Sequence, residues 1–459
     1  VSVSGTVPPS LLSVAHAPLL HALVDLLEPP CVILRDRGKW IAAAKPAEVL
    51  TARGQGSLAV IDAISEGWWA GWLSYESGHD VEAVAANQSR QRPWAAGALA
   101  DEADAAWARF PARIEIPDDG PPAVVGGGTE GSEHRLLLDA ALEVAGRGMS
   151  QLPPADFRDA ANEQALIEAV TLVGTPARST IASTVVEAID WHTTLDEEAH
   201  GRAVRRVLDH IRAGTCYQTN LTRMLWTTDP VSPSNIFHVL LDRHPAQYAS
   251  FLQIDDTSVV SGSPEQLVRQ FGRWIQTRPI KGTDSDPQRL LASTKDRAEN
   301  VMIVDMARND LGRVSRYGTV RVPSLFALEP HPGLFHLVST VVGEALPDAG
   351  RSDVIRAVFP AASITGAPKP IVMQIIEDLE PWRRGVYCGS VGWIDADHDR
   401  MDLSVAIRTF VARHGVLRFG VGGGIVADSR PAAEWAETEL KAARFLEAAQ
   451  SARFPRTSR

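Results

Sequence analysis

The chain is short of the residues that would build anything other than an ordinary globular core. Its 459 residues contain three cysteines, Cys31, Cys216 and Cys388, far apart and odd in number. That excludes a disulfide framework and any paired-cysteine zinc or redox site. No apolar run approaches the ~20 residues that a bilayer-spanning helix needs. The opening VSVSG (1–5) lacks the basic start and compact apolar block of a secretory leader. Positive charge is also scarce, with 45 Lys+Arg against 56 Asp+Glu and a net −11. Nucleic acid is therefore excluded as the main partner, because a phosphate backbone demands clustered Lys and Arg. No solenoid-period repeat and no low-complexity tract occurs. The expectation is a soluble, cytoplasmic chain.

What is present suits a large core. Apolar residues make up 45% and charged residues 22%, and the length predicts two or three domains or one large composite. Residues 1 to about 110 mix short strand-like runs such as CVIL (31–34) with an aromatic cluster at 68–75. A stretch at 116–131, rich in Pro, Asp and Gly, reads as a loop and a candidate boundary. From about 195 onward helical and strand patterns alternate. Helices are predicted over 194–213, closing at Gly214, and over 293–311 and 353–358. Strands are predicted over 248–254, 258–261, 388–394, 403–411 and 416–421. A final helix starts at Ser429-Arg430-Pro431, with Ser429 as N-cap and Pro431 in its first turn. Strands joined by short turns favour an α+β fold with an antiparallel sheet core over a doubly wound one.

Two carboxylate pairs stand out. Asp296 and Glu299 lie at i, i+3 on one helix face, and Glu434 and Glu437 repeat that spacing in the final helix. Facing each other across a cleft, they would suit Mg2+, which takes hard oxygen ligands and keeps some positions for water or substrate. The same residues also serve as solvated helix faces. Acids favour a helix N-terminus, and Glu437 has an i, i+4 mate in Lys441.

Other positions point to an anionic substrate. The run FGVGGGI (419–425) lets backbone N–H groups approach a small carboxylate, or else forms a tight turn needing positive φ. It fits neither nucleotide-binding glycine pattern. Lys281, in PIKGT (279–283), reads either as a surface lysine or as a partly desolvated amine. Burial would lower its pKa and free a nucleophile. Glu265, in SGSPE (261–265), is a general acid/base candidate or a plain loop carboxylate. Arg408 interrupts an apolar strand, where a charge needs a partner. A bidentate grip on a ligand carboxylate and an internal salt bridge both satisfy it.

Together these segments resemble one family. The matching stretches are PIKGT (279–283), KDRAENVMIVDMARNDLGRV (295–314), FHLVSTVVGE (335–344), FPAASITGAPKPIVMQIIEDLEP (359–381), RRGVYCGSVGW (383–393), DLSVAIRTF (402–410) and GGGIVADS (422–429). They are similar to the chorismate-utilising enzymes, which include anthranilate, isochorismate, salicylate and aminodeoxychorismate synthases. The match is dense over about 200–450 and weak before that, chiefly GWWAGWLSYE (67–76). The resemblance implies two large antiparallel sheets packed as a sandwich, flanked by helices, with the site in a cleft. It divides the chain into a 1–190 region that completes the sheets and a 191–455 catalytic region.

By that resemblance, Glu299 and Glu437 would bind Mg2+ directly, with Asp296 and Glu434 acting through water. Tyr387, Arg408 and the backbone at Gly422, Gly423 and Gly424 would hold the enolpyruvyl carboxylate. His336 and Thr365 would line the cleft near the ring, and Glu265 would protonate the departing hydroxyl. Lys281 sorts the chemistry, since anthranilate synthases carry alanine in this motif and aminodeoxychorismate synthases carry lysine. In the latter the amine attacks C2 and expels the C4 hydroxyl, and ammonia then adds at C4 and expels the lysine from C2. Gln218, in CYQTNL (216–221), stands where the water-using branch has a lysine, so that branch is disfavoured. The implied activity is therefore the component I aminase of p-aminobenzoate and folate synthesis, a transferase. Amination at C2 is the competing reading, and a catalytically silent regulatory subunit a third. None of the cysteines sits in a G-x-C-x-G turn, so ammonia is expected from solution or a separate glutamine amidotransferase. Leu26 to Pro30 is a faint echo of the segment that helps bind regulatory tryptophan in anthranilate synthases.

Overall fold

The computed structural model describes residues 16–54, 56–82, 102–126, 128–149, 188–331 and 334–453. Two antiparallel sheets face each other. The 11-stranded sheet runs Gly366–Ala367, Gln218–Thr227, Val416–Ile425, Thr409–Arg413, Thr257–Ser263, Tyr248–Ile254, Cys31–Asp36, Lys39–Ala44, Arg113–Pro117, Ala123–Val125, with His192–Thr193 on the second strand. The 10-stranded sheet runs Ile280–Asp284, Leu334–Glu344, Trp274–Arg278, Gln266–Phe271, Arg400–Val405, Ser390–Asp395, Trp68–Leu73, Ala105–Phe110, Glu48–Ala52, with Arg321–His331 on the second strand. This is the α+β sandwich that the resemblance implies.

Both sheets mix early and late strands. Ile33 pairs with Phe251, and Gly71 pairs with Gly392. All six residues of Trp68–Leu73 are buried, as expected of an inner strand covered on both faces. Val32, Leu34, Trp68, Trp72, Leu252, Val391 and Val411 form the core between the sheets. The outer face of the larger sheet is covered by the Ala17–Leu26, Pro233–Arg243 and Pro431–Ala452 helices. The Thr294–Gly312 and Arg351–Val358 helices cover the other sheet. Inside that layer Lys369 Nζ donates to Asp310 Oδ2 at 2.9 Å, a buried ion pair tying the Lys369–Leu379 helix to Thr294–Gly312. The division at residue 190 falls beside 150–187, which lie outside the described residues.

The predicted helices over 194–213 and 293–311 are present as Glu197–Arg212 and Thr294–Gly312. Asp196 caps the Glu197–Arg212 helix by accepting from the Ala199 amide, and Gly214 follows it at φ +71°. Ser293 caps Thr294–Gly312 by accepting from the Asp296 amide.

Four expectations differ, each for a local reason. The predicted strand 403–411 is two strands in different sheets. The chain crosses the sandwich at Ala406 to Arg408, and apolar residues on both sides of the corner hide the break. The stretch 116–131 is only partly loop, since Ala123–Val125 pairs with Arg113–Pro117 and a helix begins at Gly128. Ser429 does not cap the final helix. Its hydroxyl closes a turn by accepting from the Val426 amide, and Arg430 takes the N-cap position. The glycine run is not a turn either, for Val416–Ile425 continues straight through it as a strand.

Close strand packing makes Gly71 irreplaceable, because a Cβ there would stand 2.0 Å from the Ala106 carbonyl oxygen. Gly71→Ala should lower stability by about 1–3 kcal/mol, read as a fall in the urea midpoint. A midpoint equal to wild type would contradict this packing.

Candidate active site

The glycines of the Val416–Ile425 strand form the floor of the site, and each is small because another group occupies the space of its side chain. A Cβ on Gly420 would lie 2.1 Å from Tyr387 Cδ1, so the tyrosine ring rests on that glycine. A Cβ on Gly424 would lie 3.0 Å from Gln218 Nε2 and 3.4 Å from Lys281 Nζ. On the alternate face, a Cβ on Gly423 would meet Glu434 Oε2 at 3.3 Å and Glu437 Oε1 at 3.6 Å. The strand end therefore has the amine and amide on one side and two carboxylates on the other.

Lys281 sits on the Ile280–Asp284 strand, partly buried. Burial of its ammonium lowers its pKa, and repulsion from Lys441 adds to this against the pull of Glu299, Glu265 and Glu437. Its backbone is fixed by a neighbour. Asn300 Nδ2 donates to the Lys281 and Leu337 carbonyls, and Asn300 Oδ1 accepts from Ser339 Oγ at 2.6 Å. Glu265 is buried at 4% exposure, and burial pushes its carboxyl up to about 7. The Ser363 hydroxyl, Lys281, the Ile280 amide and Arg408 pull the other way. A proton donor near neutrality and a weakened ammonium thus act on each other.

Arg408 occupies the crossing between sheets with φ +53°. Burial is the main cause lowering its pKa. Among the described residues no carboxylate makes an ion pair with it, so the salt-bridge reading loses its support. His336 is buried. Its Nδ1 lies 2.7 Å from Thr283 Oγ1, and Nε2 has no hydrogen-bond partner. Burial, then His331 and Arg408, push its pKa down to about 2, which keeps the imidazole neutral. The Thr365 hydroxyl donates to the Ala361 carbonyl at 2.9 Å, so it shapes its loop. Both amide atoms of Gln218 are buried without partners, beside Gly424.

The four acids divide between two helices. Asp296 lies against Gly282, where a Cβ would stand 3.0 Å from Asp296 Cβ, and Glu299 acts on Lys281. Glu434 is buried and pushed up chiefly by that burial, whereas Lys441, Lys295 and Lys281 hold Glu437 low. Each of the two glutamates expected to bind metal directly has a lysine on its own helix. Lys441 Nζ is 2.7 Å from Glu437 Oε1, and Lys295 Nζ is 3.8 Å from Glu299 Oε1. Among the described residues no three ligand side chains form a ready-made metal cluster. The donor chemistry still fits a hard divalent cation, since the oxygens come from two helices without thiol or imidazole. Sequence spacing marks Lys441 only as a helix mate and misses its second bond, 3.0 Å to the Gly422 carbonyl. It also misses Asn300, whose signal is a polar residue on the buried side of its helix.

A separate small cleft of about 10 Å3, room for about one water, lies between the sheets, lined by Arg35, Tyr248, Trp393 and Asp402 among others. None of Leu26 to Pro30 lines it.

A profile described as chorismate binding enzyme matches residues 27–447. Aminodeoxychorismate synthase component 1 of Klebsiella aerogenes is 42% identical over 281 residues, 59% of this chain and 62% of that protein. Anthranilate synthase component 1 of Aquifex aeolicus is 40% identical over 273 residues, 57% of this chain and 55% of that protein. The chain thus spans less than two thirds of the curated relatives it matches. The crystal structure of anthranilate synthase component I from Streptococcus pneumoniae TIGR4 superposes with a TM-score of 0.68 at 22% identity. That match covers 91% of this chain and 93% of the other, and shows a shared fold.

Because Glu265 binds its proton more tightly folded than unfolded, its contribution to stability is fully present below about pH 4.5. It is lost as pH rises through about 7. Glu265→Gln should therefore be more stable than wild type at pH 8 by about 3 kcal/mol, with the gap closing toward pH 4.5. Parallel urea midpoints for both proteins across this range would contradict the assignment.

Proposed function

Because the chain belongs to the chorismate-binding enzyme family, we propose that it is an aminodeoxychorismate synthase component I. It converts chorismate and ammonia to 4-amino-4-deoxychorismate, for p-aminobenzoate and folate synthesis. Residues 191–455 carry the catalysis, and residues 1–190 complete the sheets. The observation that carries this reading is Lys281, an amine of lowered pKa over Gly424 with a neutral-range acid, Glu265, acting on it.

Unprotonated Lys281 adds to C2 of chorismate. The ring double bond shifts and the C4–O bond breaks as Glu265 donates its proton, so the hydroxyl leaves as water. Glu265 then takes the extra proton from the C2 ammonium. Ammonia forms the C4–N bond, the electron pair returns, and the C2–N bond breaks as Glu265 reprotonates the departing lysine. Two displacements place nitrogen at C4, and Glu265 regains its proton from the C4 ammonium, which restores both residues.

Arg408, without an internal ion pair, grips the enolpyruvyl carboxylate together with Tyr387 and the backbone at Gly422 to Gly424. Neutral His336 and the Thr365 loop border the ring. Bound Mg2+ would neutralise the ring carboxylate and ease departure of the hydroxyl, held by Glu299 and Glu437 directly and by Asp296 and Glu434 through water. Gln218 cannot act as a general base toward water, which supports amination over hydration. Ammonia comes from solution or from a separate glutamine amidotransferase, a partner that the word "component" in the relatives' names supports. No described helix is long and apolar enough to cross a membrane, and we place the activity in the cytoplasm. The 40% identity to an anthranilate synthase favours amination at C2 as the second reading.

Chorismate turnover with Mg2+ and ammonium, followed by NMR, separates the two. The expected product is the C4 amine, which an added aminodeoxychorismate lyase converts to p-aminobenzoate. Lys281→Ala should lower the rate by more than ~10³-fold. Anthranilate as product, or an undiminished Lys281→Ala, would overturn the reading. The pH–rate profile should also carry an apparent pKa near 7, owed to the Glu265–Lys281 pair. A Glu265→Gln profile that keeps this pKa would contradict that assignment.

A further inference from the structure

The Pro431–Ala452 helix carries Glu434 and Glu437 in its first two turns, yet it starts without a side-chain cap. Lys441 ties Glu437 to the Gly422 carbonyl from the outer side, and a second, buried contact holds the helix from the other. Arg223 occupies the right place. It lies on the neighbouring strand opposite Val421, one residue from the Gly422–Thr222 pair, and is 2% exposed. Its guanidinium stands 4.1 Å from the centre of the Trp435 ring. Nε donates to Thr438 Oγ1 at 3.0 Å, Nη1 donates to Thr193 Oγ1 at 3.3 Å, and Nη2 pairs with Glu439. The Thr438 hydroxyl in turn donates to the Trp435 carbonyl at 2.8 Å. Residues 435, 438 and 439 stand at i, i+3 and i+4, so a single side chain grips one side of the helix and brackets Glu437.

A second buried group meets the same indole. The His200 ring stands edge-on to Trp435 at 5.6 Å, 1% exposed, with no hydrogen-bond partner on either nitrogen. Burial, then Arg223, push its pKa down to about 4, so it packs as a neutral ring. Leaving two buried ring nitrogens unpaired is costly. Packing around Trp435 therefore acts on the helix alongside the Lys441 bonds to Glu437 and the Gly422 carbonyl.

We propose that Arg223 is a positioning residue, and that its grip on Trp435, Thr438 and Glu439 sets the rotation and height at which Glu434 and Glu437 are presented to a divalent cation. This inference rests on the metal reading given above. Metal-binding carboxylates must be held to within roughly 0.5 Å and 10–20°, and the grip lies within one turn of both. Lysine would keep the charge opposite Glu439 but could not stack on the indole and donate to two threonines at once.

The test is calorimetric titration of Mg2+ alone into the full chain, alongside the Mg2+ dependence of turnover. Arg223→Lys and Trp435→Leu should bind Mg2+ about tenfold more weakly or worse, with turnover restored at correspondingly higher Mg2+. Trp435→Phe keeps a ring under the guanidinium and should stay within about threefold of wild type. Restoration by excess Mg2+ is the readout that a purely structural role would not give. Melting curves identify any variant that fails to fold, and Thr438→Val, which removes one hydrogen bond, then stands in for it with a smaller loss in the same direction. Folded variants that bind Mg2+ within twofold of wild type would overturn the inference while leaving the metal reading intact. A wild-type chain that takes up no Mg2+ would overturn both.

Discussion

The site is assembled around one buried ion pair. Arg384 and Glu380 have fully buried side chains, with Arg384 Nη2 2.8 Å from Glu380 Oε1 and Nε 2.9 Å from Oε2. Their remaining valences reach several walls of the cleft. Arg384 donates to the carbonyls of Ile364, beside Thr365, and of Asn220, on the Gln218–Thr227 strand. Glu380 accepts from the amide and hydroxyl of Thr222 on that strand. Glu76 accepts from the Arg384 and Gly385 amides, and the Tyr75 ring lies 4.5 Å from the guanidinium. Burying such a pair costs several kcal/mol, and losing one partner costs about 3–5 kcal/mol because the other is stranded. An apolar replacement could match its stability but could not bond these backbone groups together. The pair joins the Thr365 loop, the Gln218 strand and the turn leading to Tyr387 into one rigid frame.

That frame explains how opposed charges coexist at the strand end. Lys281, Lys295 and Lys441 interleave with Glu265, Glu299, Glu434 and Glu437, and their mutual fields partly cancel. At Glu265 desolvation outweighs the cationic neighbours and pushes the carboxyl up to about 7, and it raises Glu434 as well. Glu437 is half exposed beside Lys441 and stays low. Two carboxylates of the same chemical type thus shift in opposite directions, Glu265 through burial and Glu437 through its lysine neighbours. The glycine floor is part of the same arrangement, because a side chain at Gly420 would displace the Tyr387 ring and one at Gly424 would crowd Gln218.

The sequence made the chemistry more legible than the geometry. Long motifs carried the family and the sandwich, and the acid pairs, Lys281, Glu265 and Arg408 could all be singled out by residue type and spacing. Periodicity could not show that 403–411 turns a corner, because a chain crossing between two cores is apolar on both sides of the crossing. It could not distinguish glycines that form a turn from glycines that make room, since both look identical until their neighbours arrive from elsewhere in the chain. Arg384, Glu380, Asn300 and Arg223 were invisible for the same reason. Their partners are set by the fold, and polar residues in ordinary patterns carry no mark of being buried.

The central claim is that Lys281 becomes covalently bound to the substrate ring. Its most direct measurement is mass spectrometry of the chain mixed with Mg2+ and chorismate in the absence of ammonia, with digestion to locate any adduct. The expected result is a gain equal to chorismate less one water, on the peptide containing Lys281, that disappears when ammonium is added. A chain that consumes chorismate under amination conditions yet never carries this mass, or carries it on another residue, would contradict the claim.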